Sequence, residues 1–75
     1  MARRIVPEVL LVLGRRIAKL RKERGFSQED FADECGLHRT AVGLLERGKS
    51  IPRLDTLLIL SKGLNIPVSD LLEEI

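Results

Sequence analysis

From Glu8 onward the chain is a series of short apolar stripes of helical period, broken at Gly, Pro or Asn. Leu10, Leu13, Ile17 and Leu20 recur three or four residues apart, which predicts an amphipathic helix over 8–24 with those side chains inward. Leu11 and Val12 fall off that stripe and are either extra core or part of a partner surface. Arg15, Arg16, Lys19, Lys22 and Arg24 cover the rest of the circumference, and Gly25 ends the helix. A second helix is predicted over 28–35, with Ser27 as its cap, Asp30 completing a capping-box-like pattern, and Phe31 and Ala32 inward. Gly36 supplies the positive φ that stops it.

Leu37 restarts the pattern, and a third helix is predicted over 38–47, held to the core by Leu37, Val42 and Leu45. Its opposite face then carries Arg39, Thr40, Gly43, Leu44 and Arg47. Residues 48–53, GKSIPR, read as a loop. A fourth helix follows over 54–64, with Leu54, Leu57, Leu58 and Leu64 on one face and Ile59 and Leu60 widening it. Asn65 can end it, and a last helix is expected over 69–75. Residues 1–7 are read as a loose arm whose Arg3 and Arg4 either fray or reach a phosphate backbone.

Seventy-five residues suit one small domain with a modest core, a size at which dimerisation helps. Two Phe and no Trp or Tyr leave that core to Leu, Ile and Val. The single Cys35 excludes an internal disulfide and fits a reducing cytosol. The apolar run 9–13 is too short for a signal-peptide core or a membrane span, so a cytoplasmic protein with no membrane association is expected.

The net charge of +2 hides an alternation along the chain. Residues 1–25 carry net +6, 26–38 net −4, 39–53 net +3 and 54–75 net −3. A nucleic-acid site needs a local positive surface rather than a large total charge, although such blocks also occur as plain solvated faces. Candidate chemistry is otherwise thin. There is one His, one Cys and no Gly-rich phosphate loop, so neither an enzyme nor a cofactor is expected. Cys35 and His38 fall short of the four ligands of a structural zinc site, so no metal is expected.

Gln28, Ala32, Gly36, Val42, Leu45, Glu46, Arg47 and Gly48 stand at the spacing of a known motif. Together with SQ at the second helix start, LERGK and the leucine-rich helices that follow, they resemble the Cro/phage-repressor (XRE-like) type of helix-turn-helix from about Leu13 onward. The segment LHRTAVGLLERG is similar to the controller proteins of restriction–modification systems. The resemblance implies an all-α, lambda-repressor-like domain of five helices over 8–75 that binds double-stranded DNA as a regulator of transcription. It implies that Gln28 touches phosphate and that His38, Arg39, Thr40 and Leu44 face DNA, with the acids of the second helix turned away.

Arg39 has the chemistry to read guanine, and Thr40 a base or a phosphate. Two residues depart from the family pattern. Leu44 stands where a long polar residue is common and can offer only apolar contact. Gly43 costs about 1 kcal/mol against Ala inside a helix and either lets the backbone approach DNA or is merely tolerated. Lys49, Ser50 and Arg53 are candidates for phosphate, beside Arg47. By resemblance, Arg21 and Glu46 form a structural pair between the first and third helices.

The apolar excess at the C-terminal end suggests a two-fold homodimer through Ile59, Leu60, Leu64, Ile66, Leu71, Leu72 and Ile75. The alternative is a module on the same scaffold that binds a second protein, as an antitoxin does, with Leu11, Val12, Ile59 and Leu60 as the partner surface.

Overall fold

The computed structural model describes residues 7–75. Five helices occur among them: α1 (Pro7–Glu23), α2 (Gln28–Cys35), α3 (Arg39–Glu46), α4 (Leu54–Leu64) and α5 (Val68–Leu71). No strand occurs among the described residues, so the fold is all-α, as expected. Arg3 and Arg4 of the expected arm lie outside the described residues, and Pro7 belongs to α1.

The helix ends follow local chemistry. Ser27 accepts a hydrogen bond from the Asp30 amide at 3.0 Å and so starts α2. Gly36 takes φ 69°, and its amide and that of Leu37 return to the carbonyls of Asp33 and Ala32, closing the turn between α2 and α3. His38 and Arg47 stand at the caps of α3 rather than inside it. Asn65, at φ 58°, ends α4 in the left-handed conformation that Asn tolerates.

The helices close a ring of contacts: α1 packs on α3 and α5, α2 on α3 and α4, and α4 on α5. Inside it Ile17, Phe31, Val42, Leu60, Leu64 and Leu71 are fully buried, with Leu13, Ala32 and Leu45 beside them. Leu10 and Leu20 are only half-buried at the two ends of the α1 stripe. Gly14 makes the α1–α3 approach possible. A Cβ built on it would stand 2.5 Å from the Leu45 carbonyl oxygen and 2.6 Å from that of Glu46.

Two expectations need correction. The inward face of α4 is Leu57, Leu60, Ser61 and Leu64, and Leu54 and Leu58 are exposed. A helix apolar over more than one face has no unique stripe, and here contact with α2 and α5 selects one. The last helix ends at Leu71 rather than Ile75. Arg16 of α1 donates Nη1 to the carbonyls of Leu71 at 2.9 Å and Glu73 at 2.7 Å, and Glu74 turns to φ 61°. The Leu71 carbonyl, which the Ile75 amide would use in a longer helix, is held by that guanidinium instead.

Candidate nucleic-acid interface

The first turn of α2 and the outer face of α3 meet at a polar recess of about 230 Å³. Gln28, Arg39, Thr40, Gly43 and Arg47 line it. Two guanidinium groups, a hydroxyl and an amide converge there, a set rich in donors to an anion. No carboxylate lines it. Glu29, Asp30, Asp33 and Glu34 are all exposed, and at 3.6 residues per turn they occupy the arc of α2 opposite Gln28. The local charge at the recess is therefore positive although the neighbouring segment is acidic.

Gln28 ties the recess to a network. Arg21 of α1 donates Nε to Glu46 Oε2 at 2.6 Å, Nη2 to Glu46 Oε1 at 3.0 Å, and Nη1 to the Phe26 carbonyl at 2.8 Å. The side chains of the pair are 8% and 6% exposed. Gln28 adds Nε2 to Glu46 Oε1 at 2.9 Å. The fork-to-fork geometry is the strong form of an ion pair, and it ties α1, α2 and α3 at one point. Sequence reading identified the pair but missed the bond from Gln28. Only an i+18 relation across a turn connects those residues, and no local pattern reports it.

Gly43 is buried beneath the rim rather than lying on the outer face. A Cβ there would stand 3.3 Å from Arg47 Nη1 and 3.8 Å from Gln28 Oε1. Its absence leaves room for the Arg47 guanidinium. Arg39, Thr40 and Arg47 are exposed, as is His38, whose side chain makes no cap bond.

The remaining candidates stand apart. Leu44, Ser50 and Arg53 line a neighbouring apolar groove of about 240 Å³ with Leu37, Ala41, Leu45, Ile51 and Pro52. Leu44 therefore faces apolar neighbours rather than the polar recess. Ile51, 63% exposed, was overlooked, although an isoleucine between Ser50 and Pro52 in a polar loop is a visible oddity. Arg53 lies 3.3 Å from the Asp55 carboxylate, an exposed pair of little energetic weight that still offsets its charge. Lys49 is exposed, and its amide donates to the Leu44 carbonyl at 2.9 Å.

The set proposed for a dimer interface divides. Leu60, Leu64 and Leu71 are 0% exposed inside one chain and have no surface to offer a partner. Ile66 and Leu72 are half-buried against the same core. Ile59 and Ile75 are exposed but line different grooves, the first with Cys35 and Lys62, the second with Glu8, Val9 and Val12. Part of the apolar excess read from the sequence is thus the core itself, through Leu60, Leu64 and Leu71.

Among the described residues no group of three or more His, Cys, Asp or Glu could hold a metal ion. No described helix is long and apolar enough to cross a membrane.

A helix-turn-helix family matches residues 17–71. The chain is 41% identical over 61 residues to the control protein C.SmaI of Serratia marcescens, an alignment spanning 81% of this chain and 73% of that one. It is 36% identical over 66 residues to the control protein C.BamHI of Bacillus amyloliquefaciens, covering 87% and 82% of the two chains. The crystal structure of the restriction–modification controller protein C.AhdI of Aeromonas hydrophila superposes with a TM-score of 0.81 at 39% identity, over 83% of this chain and 94% of that one. With α2 and α3 inside the matched span and the Gly36 turn between them, the chain belongs to the XRE-like helix-turn-helix family.

Proposed function

We propose that this protein is a homodimeric, sequence-specific DNA-binding regulator of transcription of the controller type, not an enzyme. The observation that carries the reading is the recess of Gln28, Arg39, Thr40, Gly43 and Arg47, positive and free of carboxylates, at the meeting of α2 and α3. The N-terminal half of α3 enters a major groove, where Arg39 reads guanine through N7 and O6 and Thr40 contacts a base or a phosphate. Gln28, Arg47, Lys49, Ser50 and Arg53 hold the phosphate backbone, which fixes register without reading sequence. His38 flanks the groove at the α3 start. Leu44, beside Ile51, offers apolar contact to a thymine methyl. The reading takes the protein as cytoplasmic, in keeping with its bacterial controller relatives.

The dimer forms through the outer face of α4. Leu54 and Leu58 stand one turn apart there, 67% and 49% exposed, with Ile51 at 63% just before them. A two-fold pair reads a pseudo-palindrome with half-sites about one helical turn apart. The names of the controller relatives support a regulatory role.

The test is binding to the DNA upstream of this protein's own gene, against random DNA, at several salt concentrations. Selective binding that falls steeply with salt supports an operator read by a protein that neutralises several phosphates. Arg39→Ala should then cost about 1–3 kcal/mol on the operator and less on random DNA. Weak, unselective binding would sink the reading and favour a module that binds a second protein. Leu11 and Val12, 39% and 42% exposed, would be its surface.

A further inference from the structure

Glu46 does more than receive Arg21. Its Oε1 accepts from two donors, Nη2 of Arg21 at 3.0 Å and Nε2 of Gln28 at 2.9 Å. An ionised carboxylate only accepts, so the contact dictates which end of the Gln28 carboxamide faces it. The nitrogen turns toward Glu46 with one N–H engaged. Nε2 keeps a second N–H that Glu46 does not use, on a side chain that lines the recess. A glutamine released from this hold could equally present its carbonyl oxygen, which repels a phosphate. The carboxylate that holds Gln28 is itself matched by Arg21, so it adds no uncompensated negative charge there.

We propose that Glu46 is a positioning residue for DNA binding, holding the Gln28 amide so that its second N–H meets a backbone phosphate. The proposal rests on the DNA-binding reading above. Arg21 is the brace of this device and α1 its frame, so a pair that looks purely structural also sets affinity.

The experiment is a double-mutant cycle on the DNA upstream of the gene. Wild type, Gln28→Ala, Glu46→Ala and the double variant are compared at a temperature where circular dichroism finds each folded. Gln28→Ala should weaken binding roughly tenfold, the worth of one hydrogen bond to a charged acceptor. Glu46→Ala should weaken it about as much, and the double variant no further. Glu46→Gln, which keeps a carbonyl to accept from Gln28, should melt lower yet bind near wild type. Wild-type affinity in Glu46→Ala, effects that multiply in the double variant, or an equal loss in Glu46→Gln would each overturn the proposal.

If Glu46→Ala does not fold, the side-chain amide of Gln28, the single glutamine of the chain, gives the answer by NMR. In free wild-type protein its two protons should be well separated and one slow to exchange. An amide as mobile as that of an exposed glutamine would overturn the proposal. Wild-type protein that fails to select its DNA would overturn the underlying reading instead, a result read before any variant is made.

Discussion

Gly14 and Leu45 bring two helix backbones together with no side chain between them. A methyl group at position 14 would stand 2.5 Å from the Leu45 carbonyl oxygen and 2.9 Å from the Glu46 carbonyl carbon. Backbone on both sides leaves nothing flexible to yield. The contact also sets the height at which α1 carries Arg21 to Glu46.

Gly14→Ala should therefore destabilise the protein although Ala is the better helix former. Overpacking of about 1–3 kcal/mol corresponds to a melting temperature lower by about 5–15 °C in a domain of this size. An unchanged or raised Tm would show that α1 and α3 can slide apart freely.

Arg16, two residues further along α1, has a comparable role toward α5. One Nη1 serves the carbonyls of Leu71 and Glu73, across more than fifty residues of sequence. Arg16→Ala should lower stability by about 1–3 kcal/mol and speed amide exchange after Leu71 before it affects α2 and α3. Exchange that rises uniformly over the chain would mean the contact stabilises the fold only globally.

How much of this was legible in the sequence depends on the range of the cause. The Ser27 cap, the Gly36 turn and the inward Phe31, Ala32, Val42 and Leu45 are local or periodic, and the sequence states them directly. Helix α4 is apolar over more than one face, so its inward face was settled only by what α2 and α5 present to it. Gly14 carries no local sign of its role, because its reason sits on another helix. At the recess, Gln28, Arg39, Thr40 and Arg47 are recoverable from motif spacing. The bond that orients Gln28 is not, since it depends on where Arg21 places Glu46.

Cys35 gives a pH prediction. Burial pushes its thiol above the ordinary 9.0, and the Glu34 carboxylate adds to the rise. A folded pKa above the unfolded one means a contribution present below the unfolded value and lost as pH rises through the folded value. Stability should thus show no Cys35 effect near neutrality and an extra decline on the alkaline side. Thermal melts of wild type and Cys35→Ala from about pH 7 to about pH 11 should diverge only above the ordinary thiol range. Parallel curves throughout would contradict this.

Leu54 and Leu58 test the proposed dimer without touching the core, because both are exposed while Leu57, Leu60 and Leu64 hold the inner face. Leu54→Glu with Leu58→Glu should shift sedimentation from dimer to monomer at concentrations where the wild type is dimeric. Circular dichroism should stay helical. Operator binding should weaken more than binding to a single half-site, since only the former needs two linked subunits. A variant that sediments as wild type would move the interface elsewhere.

Gly43→Ala separates stability from binding in one substitution. Removing a helical glycine gains about 1 kcal/mol, and the new methyl would stand 3.3 Å from Arg47 Nη1, the mobile end of a long side chain. Arg47 can swing away at little cost, so Tm should rise by a few degrees. That swing takes a guanidinium out of the recess, while Gln28 Oε1, at 3.8 Å, meets the methyl at ordinary contact distance. Affinity for DNA should fall by about three- to tenfold, the range of one hydrogen bond lost to a phosphate. A more stable protein that binds less well is the combination to expect. Unchanged or tighter binding would mean that Gly43 is merely tolerated, and that Arg47 does not depend on the room it leaves.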